Sequence, residues 1–342
     1  MRFGPVAVSE AKGAILAHSV TADGRKLRKG LSLQAKHVTQ LTQAGIREVI
    51  VARLEPGDCH EDEAARTLAA ALAPDAASAN LRVTDAFTGR VNLLADAPGV
   101  AVLDVDALEM FNRVNPMITV ATVPQYQQMG PKGMVATIKV ISYAVPEADV
   151  RRAANLAQGA VRLARPVHKT AGLIVTDIPG GPSNEKGIAA IRGRTEALGL
   201  DLCDVQIVPH RVEALAKAVS RTAGDLLMIL TGSATSDPDD VAPSAVRLAG
   251  GQVDRFGMPV DPGNLLFLGS MQDRPVIGLP GCARSPALNG ADWVLSRIAC
   301  GIETTGADIA GMGVGGLLKE IPTRPQPRAK RKEQSAADPE RS

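Results

Sequence analysis

The chain has 342 residues, of which 45% are apolar and 2% aromatic, and its formal net charge is +2. This length predicts two or three domains, and the scarcity of aromatic rings argues against a nucleic-acid surface that stacks bases. The nearly balanced charge indicates neither a polyanionic partner nor an acidic solvating role.

Four widely spread cysteines predict reduced thiols. The sequence has no Cys-x-x-Cys pair and no histidine at metal-ligand spacing from Cys59, Cys203, Cys282 or Cys300. That pattern is typical of a cytosolic protein without a disulfide framework or a zinc site. The first residues lack the apolar segment of an export signal, and no apolar run long enough to cross a membrane follows. We therefore expect a cytoplasmic protein that makes no membrane contact.

The chain up to residue 166 predicts two small modules. Residues 1–76 combine strand candidates with a helix at 33–45 that ends at a glycine, which indicates a small α+β module. Residues 77–166 contain short strand candidates, the strongest at 133–141, which indicate a β-rich module.

Residues 167–305 alternate regularly between strand and helix patterns. Strand candidates lie at 171–176, 204–208 and 225–230, with helix candidates between them. Apolar strands separated by amphipathic helices predict an α/β domain whose sheet is covered by helices on both faces. The remaining residues, 306–342, predict a flexible basic tail, since its Pro-rich and charged end cannot bury enough surface to order itself.

A loop of small and acidic residues at 231–240 follows the third strand of this alternation. It carries Thr231, Gly232, Ser233, Thr235, Ser236, Asp237, Asp239 and Asp240. Small residues let backbone amides approach an anion closely, and adjacent carboxylates can hold Mg²⁺ against phosphate groups. The alternative is a solvated turn whose aspartates make local Asx turns.

The start of the next helix decides how Asp240 is interpreted. Pro243 predicts the first helical residue, which makes Ala242 the cap and places Asp240 two positions before it. Capping then does not explain Asp240, so this position favours a functional role.

A second loop, at 279–285, leads from an apolar strand towards a helix. Ser285 is predicted to cap that helix, with Pro286 as its first residue. Gly281 then lies beside a helix N-terminus, which is a ready anion site, and Arg284 can add a bidentate phosphate contact. Many strand-to-helix turns in α/β proteins have this composition and bind nothing.

Two further positions belong to the same predicted edge of the sheet. His210 follows a strand and precedes a helix, where a ligand role and an ordinary polar role are equally supported. The turn at 260–264 contains Gly263, which the backbone geometry of the turn alone can explain.

Taken together, these loops resemble the molybdopterin-binding domain shared by molybdopterin adenylyltransferases and molybdopterin molybdenumtransferases. Residues 232–245 align without a gap with the family loop Gly-Gly-Thr-Gly-x-x-Pro-Arg-Asp-Val-Thr-Pro-Glu-Ala, and Asp240 falls on the family's catalytic aspartate. The turn at 261–264 takes the place of the family's Lys-Pro-Gly-Lys, and residues 279–285 that of its Leu-Pro-Gly-Asn-Pro-x-Ser. The resemblance covers roughly residues 168–305.

This resemblance implies a three-layer fold, a ligand and a set of site residues. The ligand would be molybdopterin, handled with Mg²⁺ and either ATP or CTP. Asp237 and Asp240 would be the catalytic carboxylates and the metal ligands. The molybdopterin-binding residues would be Thr231, Gly232, Ser233, Thr235, Pro262, Gly263, Pro280, Gly281, Arg284, Ser285 and His210.

Several charges depart from the family pattern. His210 stands where the family has an acidic residue, Asp239 replaces the motif arginine, and Asp261 and Asn264 replace two lysines. Reversed charges facing phosphate or molybdate predict weaker anion binding. We therefore expect a molybdopterin-binding protein of molybdenum cofactor biosynthesis, which transfers a nucleotidyl group or molybdate if it is catalytic.

Two alternatives remain open at this stage. One is a carrier or sensor that binds the cofactor without catalysis, and the other is an unrelated sugar- or nucleotide-binding α/β protein. The expected partners are other proteins of cofactor biosynthesis and further copies of this chain, without nucleic acid.

Overall fold

The computed structural model describes residues 1–261 and 263–318, and they fall into two compact units. The first unit comprises Met1–Val167 with Ala197–Gly199 and Ala299–Gly301, and the second comprises the other described residues. Our division at residues 76, 166 and 305 stays a prediction. Residues 319–342 of the expected tail lie outside the described residues.

The first unit begins with a small antiparallel sheet. Its strands and helix are β1 (Arg2–Ala7), β2 (Ile15–Leu16), β3 (Val20–Ala22), β4 (Arg25–Leu27), α1 (Ala35–Gln43) and β5 (Glu48–Arg53). β5 pairs with β1 on one side and β2 on the other. Leu16, Leu33, Leu41 and Val51 pack together beneath the sheet, so this segment has an apolar core of its own.

The rest of the first unit shares a second core. Its elements are β6 (Asp58–His60), α2 (Glu61–Leu72), β7 (Leu81–Val83), β8 (Arg90–Ala95), β9 (Gly99–Leu103), α3 (Val105–Val114), β10 (Ile118–Thr122), β11 (Gln128–Met129), β12 (Met134–Val140), β13 (Ala144–Pro146), α4 (Glu147–Leu156) and β14 (Val161–Ala164). The β-rich module predicted at residues 77–166 also contains two helices, α3 and α4, which its strand pattern did not indicate. Leu68 and Leu72 of α2 pack with Phe111 and Ile138, so α2 shares its core with later elements.

The second unit is built on one large sheet, as the α/β pattern predicted. Its elements are β15 (Thr170–Asp177), α5 (Asn184–Ala197), β16 (Asp201–Pro209), α6 (Val212–Arg221), β17 (Leu226–Leu230), α7 (Val241–Leu248), β18 (Gln252–Met258), β19 (Asn264–Met271), β20 (Arg274–Leu279), α8 (Gly290–Ala299) and α9 (Gly306–Gly311). The sheet order is β16-β15-β17-β20-β19-β18. The first four strands are parallel, and β19 and β18 extend the sheet with antiparallel pairs.

Burial along β17 shows that protein covers both sides of the sheet centre. All five residues of β17 are buried, although successive side chains point to opposite faces. Leu227 and Ile229 pack with residues of α6 and α7, whereas Leu230 lies close to Gly187 of α5. The mixed α/β character predicted for this domain is therefore confirmed.

The strand order fixes where a ligand can approach the sheet. From β15 the chain moves outward to β16 and then crosses back to β17, on the other side of β15. Neighbouring loops at the carboxyl ends of β15 and β17 consequently diverge, and such a switch point is where open α/β sheets form their crevice. Within the described parts of the chain, no helix is long and apolar enough to cross a membrane.

Candidate functional site

Three loops at the carboxyl edge of the large sheet are held together by one arginine. Arg284, after β20, donates from Nη2 to the Thr231 carbonyl (2.9 Å) after β17 and from Nη1 to the Ser183 carbonyl (3.2 Å) after β15. Burial lowers the pKa of Arg284. Arg284 therefore has a structural task besides the phosphate contact predicted for it.

Gly232 lies where the loop after β17 presses against the end of β15. A Cβ atom at Gly232 would stand 2.6 Å from the Thr176 carbonyl oxygen, which no ordinary side chain tolerates. The Gly232 N–H donates to Thr176 Oγ1 at 2.8 Å. This amide is therefore used within the protein, and the hydrogen bond leaves it no free N–H for the anion contact that the sequence suggested.

The three residues after Gly232 have backbone N–H groups that make no hydrogen bond within the described chain. In the described parts of the chain, no hydrogen bond uses the backbone N–H of Ser233, Ala234 or Thr235. The Thr231 hydroxyl turns inward and donates to the Ser233 carbonyl at 2.5 Å, and it lies 3.4 Å from the hydroxyl of Thr235. Consecutive backbone N–H groups without an acceptor in the protein are donors that an oxyanion can use.

Asp240 is the N-cap of α7, contrary to the sequence prediction. Its Oδ1 accepts the N–H of Val241 (2.6 Å), and its Oδ2 accepts that of Ser236 (2.9 Å). The helix begins two residues before Pro243, so Ala242 is not the cap. Proline is tolerated at the third helical position because the N–H groups of a first turn have no intrahelical partner. Capping therefore does explain Asp240, and its position alone no longer argues for a catalytic role.

The other aspartates of the loop also make local contacts. Asp237 Oδ1 accepts the N–H of Asp239 at 2.8 Å, an Asx turn. Asp239 pairs with Arg247 at 3.3 Å on the surface. Asp237 is exposed and its second oxygen accepts no hydrogen bond from the described chain.

Whether this loop could hold Mg²⁺ depends on which of its carboxylate oxygens are available. The described residues contain no group of three or more His, Cys, Asp or Glu side chains that could hold a metal ion. Mg²⁺ bound together with substrate phosphates needs only one or two carboxylates, with water completing its shell. Asp237 fits that requirement, whereas Asp240 could contribute only through oxygens that already accept backbone N–H groups.

The loop after β20 differs from its prediction. Gly281–Arg284 form one 3-10 turn, with Pro280 before it and Ser285 after it. Helix α8 begins only at Gly290, so Ser285 is not its cap and Pro286 is not its first residue. Its start is fixed instead by Asn289, whose Oδ1 accepts the N–H of Ala291 (2.9 Å). Ser285 Oγ accepts the N–H of Ala287 (3.2 Å) in a local turn.

Arg194 of α5, which was not among the predicted site residues, holds this loop in place. The residue is 8% exposed, and all five of its N–H groups are used. Nε donates to Asp292 Oδ1 at 2.7 Å, and the remaining donors reach the carbonyls of Ala190, Ala283, Ser285 and Ala287 at 3.2, 2.9, 2.7 and 3.1 Å. The spacing of Gly187, Ile191 and Arg194 on one helix face was a signal that Arg194 is buried.

The loop after β15 is the second feature that the sequence did not assign to the site. The His210 N–H donates to the Asp177 carbonyl (3.1 Å), and the Asp177 carboxylate accepts Asn184 Nδ2 (2.7 Å). His210 Nδ1 lies 2.8 Å from Thr176 Oγ1. Only the strand order places this loop opposite the one after β17, and that order is not visible in the sequence pattern.

The turn after β18 is tied to the chain beyond α9. Asp261 has a φ of 43°, its N–H donates to the Gly316 carbonyl at 2.7 Å, and its Oδ1 accepts the Leu318 N–H at 3.0 Å. Asp261 thus anchors a backbone segment at the position of a family lysine. Gly263 has a φ of 91°, the left-handed conformation that the turn required, and Pro262 lies outside the described residues.

Asn264 ends this turn inside the protein. It is 6% exposed, and its Oδ1 accepts the Leu266 N–H at 3.1 Å. Val260 lies beside the start of α8, where a Cβ on Gly290 would stand 3.0 Å from the Val260 Cβ. The turn is therefore packed next to the loop after β20, while the described contacts bring together the loops after β15, β17 and β20.

Comparisons with known proteins agree with the loop pattern. Residues 178–298 match a family model described as "Probable molybdopterin binding domain". Residues 5–53 match a model described as "Domain of unknown function (DUF8806)". No curated protein sequence matches the chain.

Solved structures also match, and one of them covers most of the chain with low similarity. It is a molybdenum cofactor biosynthesis protein from Pyrococcus furiosus, with 11% identity, a TM-score of 0.24 and coverage of 91% of this chain. This chain spans 65% of that protein's length. A similarity at this level carries no argument about fold or activity, so the family match of residues 178–298 stands on its own.

Proposed function

Because residues 178–298 belong to the molybdopterin-binding domain family, we propose that this chain binds molybdopterin at the crevice between the loops after β15, β17 and β20. The pterin phosphate is held by the open amides of Ser233, Ala234 and Thr235, which are the observation that carries the proposal. The protein acts in molybdenum cofactor biosynthesis, with the three-layer arrangement of the family.

The loop can hold a phosphate without much rearrangement. Gly232 is pinned against Thr176, and Asp240 closes the distal half of the loop through Ser236. A site ordered before binding avoids the entropic cost of ordering it on binding. The exposed hydroxyl of Ser233 can add one more hydrogen bond, and Gly281 leaves open space at the third loop, where a Cβ would meet no atom within 4 Å.

The test is equilibrium dialysis of the protein with molybdopterin under anaerobic conditions, in which the bound pterin is quantified by its fluorescence. Ser233→Asp places a negative charge beside the phosphate, so we expect affinity to fall about tenfold or more. Ser220→Asp makes the same change at the end of α6, at the opposite edge of the sheet, and should bind as the unmodified protein does. Equal affinity of the two variants, or no binding by the unmodified protein, would reject the site.

A second candidate function is nucleotidyl transfer with Mg²⁺, and the exposed carboxylate of Asp237 beside the phosphate loop favours it. Asp237 would hold Mg²⁺ against the phosphates of ATP or CTP, with Asp240 orienting the same loop. Molybdate insertion is the other transfer reaction that this family position suggests. The local engagement of Asp239, Asp240 and Asp261 favours binding without catalysis.

Pyrophosphate release separates transfer from binding alone. Purified protein is incubated with molybdopterin, Mg²⁺ and ATP or CTP. A transferase releases pyrophosphate, and Asp237→Asn reduces the rate while leaving molybdopterin affinity unchanged. Tight molybdopterin binding with no turnover of either nucleotide and no molybdate incorporation identifies a carrier or sensor. Light scattering on the same sample tests the expected homo-oligomer.

A further inference from the structure

The peptide between Thr231 and Gly232 is clamped at both of its polar atoms. Its carbonyl oxygen accepts Arg284 Nη2 at 2.9 Å, and its N–H donates to Thr176 Oγ1 at 2.8 Å. A peptide plane held from opposite sides cannot rotate without breaking a hydrogen bond. This plane immediately precedes Ser233, Ala234 and Thr235, whose N–H groups make no hydrogen bond within the described chain, so holding it constrains the start of the segment that carries them.

The N–H side of the clamp continues to His210. Thr176 is 0% exposed, and its Oγ1 lies 2.8 Å from His210 Nδ1. The three groups therefore form one hydrogen-bond chain, Gly232 N–H to Thr176 hydroxyl to His210 imidazole.

Counting donors and acceptors fixes the direction of this chain. A hydroxyl has one hydrogen and two lone pairs, and the Gly232 amide can only donate to it. In the described residues, the Thr176 hydroxyl has no partner besides Gly232 and His210. Its hydrogen is therefore satisfied only if His210 Nδ1 accepts it, and a buried hydroxyl left without an acceptor is costly. Nδ1 must then carry no hydrogen, which places the ring hydrogen on Nε2.

We propose that His210 is a positioning residue which, by accepting the Thr176 hydroxyl at Nδ1, orients the peptide between Thr231 and Gly232 and with it the three amides that hold a phosphate monoester. The identity of the bound phosphate rests on the proposed function, while the hydrogen-bond chain does not. Hydrogen bonds in a chain polarise one another, so an acceptor at His210 strengthens the grip of Thr176 on the Gly232 amide.

Two matched substitutions separate this role from packing. His210→Asn keeps an acceptor, because the Asn Oδ1 takes the place of Nδ1, whereas His210→Leu keeps apolar bulk and removes the acceptor. Thr176→Val deletes the middle hydroxyl with almost no change of shape. The hydrogen bond of the Gly232 amide should be lost in Thr176→Val and weakened in His210→Leu. In His210→Asn it should remain as in the unmodified protein.

Nuclear magnetic resonance of the ligand-free full chain reads this directly. The sequence contains three Thr-Gly pairs, ending at Gly89, Gly232 and Gly306. Labelling threonine carbonyls with ¹³C and glycine amides with ¹⁵N therefore leaves three resolved signals, two of which are internal controls. We expect only the Gly232 signal to shift and its hydrogen exchange to accelerate in Thr176→Val and His210→Leu. Labelled histidine should show the proton of His210 on Nε2.

Molybdopterin affinity supplies the functional readout. Losing one neutral hydrogen bond behind the loop corresponds to a loss of about three- to tenfold in affinity for His210→Leu, with His210→Asn restoring it. A proton on Nδ1, or a Gly232 amide that does not respond to His210→Leu, overturns the proposal. If the unmodified protein fails to bind molybdopterin while the Gly232 amide responds as expected, the proposed function fails and the positioning role stands.

Discussion

Removing Arg194 should loosen the loop after β20 more than any exposed change on the same helix. The guanidinium is almost fully buried and donates to Asp292 and to three loop carbonyls, those of Ala283, Ser285 and Ala287. Arg194→Ala leaves the Asp292 carboxylate without its cation and three carbonyls without donors. Breaking a buried ion pair by removing one partner costs about 3–5 kcal/mol, and that is the loss of unfolding free energy we expect.

The single tryptophan of the chain provides the assay. Trp293 lies in α8 beside Asp292, so its fluorescence during urea-induced unfolding reports on the affected element. Arg192→Ala is the control, because Arg192 lies on the same helix and is exposed. The stability of Arg194→Lys should lie between those of Arg194→Ala and Arg192→Ala, since an ammonium offers three donors in place of five.

Hydrogen exchange resolves whether the damage is local. We expect amides of residues 281–289 to exchange faster in Arg194→Ala, before any change in the strands of the sheet. A loss of unfolding free energy in Arg194→Ala below about 1 kcal/mol would lie within the range of an exposed salt bridge. Such a loss, or one equal to that of Arg192→Ala, would refute the view that the Arg194 side chain holds the loop.

Three further outcomes follow from individual contacts. Two backbone amides donate to the Asp225 carboxylate and lower its pKa from 3.8. Asp225→Asn should therefore remove stability that is present above pH 3.8 and is lost as the pH falls through the lowered pKa. Unfolding at a series of pH values measures this loss. Burial raises the pKa of Cys300 to about 12, so its thiol should resist alkylation at about pH 8 in the folded state and react after unfolding. Gly278→Ala places a Cβ 1.9 Å from the Phe267 ring and should cost about 1–3 kcal/mol, whereas Gly193→Ala, in open space on α5, should be neutral or slightly stabilising in the same urea titration.

The sequence was informative where a local pattern carries the information. Alternating apolar strands and helices predicted the α/β domain, and the small-residue loops at 231–240 and 279–285 marked two of the three loops that Arg284 joins. The resemblance to the molybdopterin-binding family was confirmed for residues 178–298. These features depend on residues close together in the chain.

The missed features depend on residues that are distant in sequence. The loop after β15 enters the site because β15 lies between β16 and β17, and a periodicity pattern does not contain strand order. Arg194 contacts residues about ninety positions away. The prediction for Asp240 is wrong for a local reason, because a first helical turn accepts proline at its third position as well as its first, and Pro243 occupies the third.

The cap at Asp240 also changes the local charge at the N-terminus of α7. A helix N-terminus carries roughly half a positive charge, and at α7 that partial charge already faces the Asp240 carboxylate. A phosphate bound at this loop as proposed would therefore gain little attraction from the dipole of α7, because the Asp240 carboxylate already offsets it. The proposed binding would rest instead on short, directional contacts to neutral amides, which discriminate the shape of an anion more than its total charge.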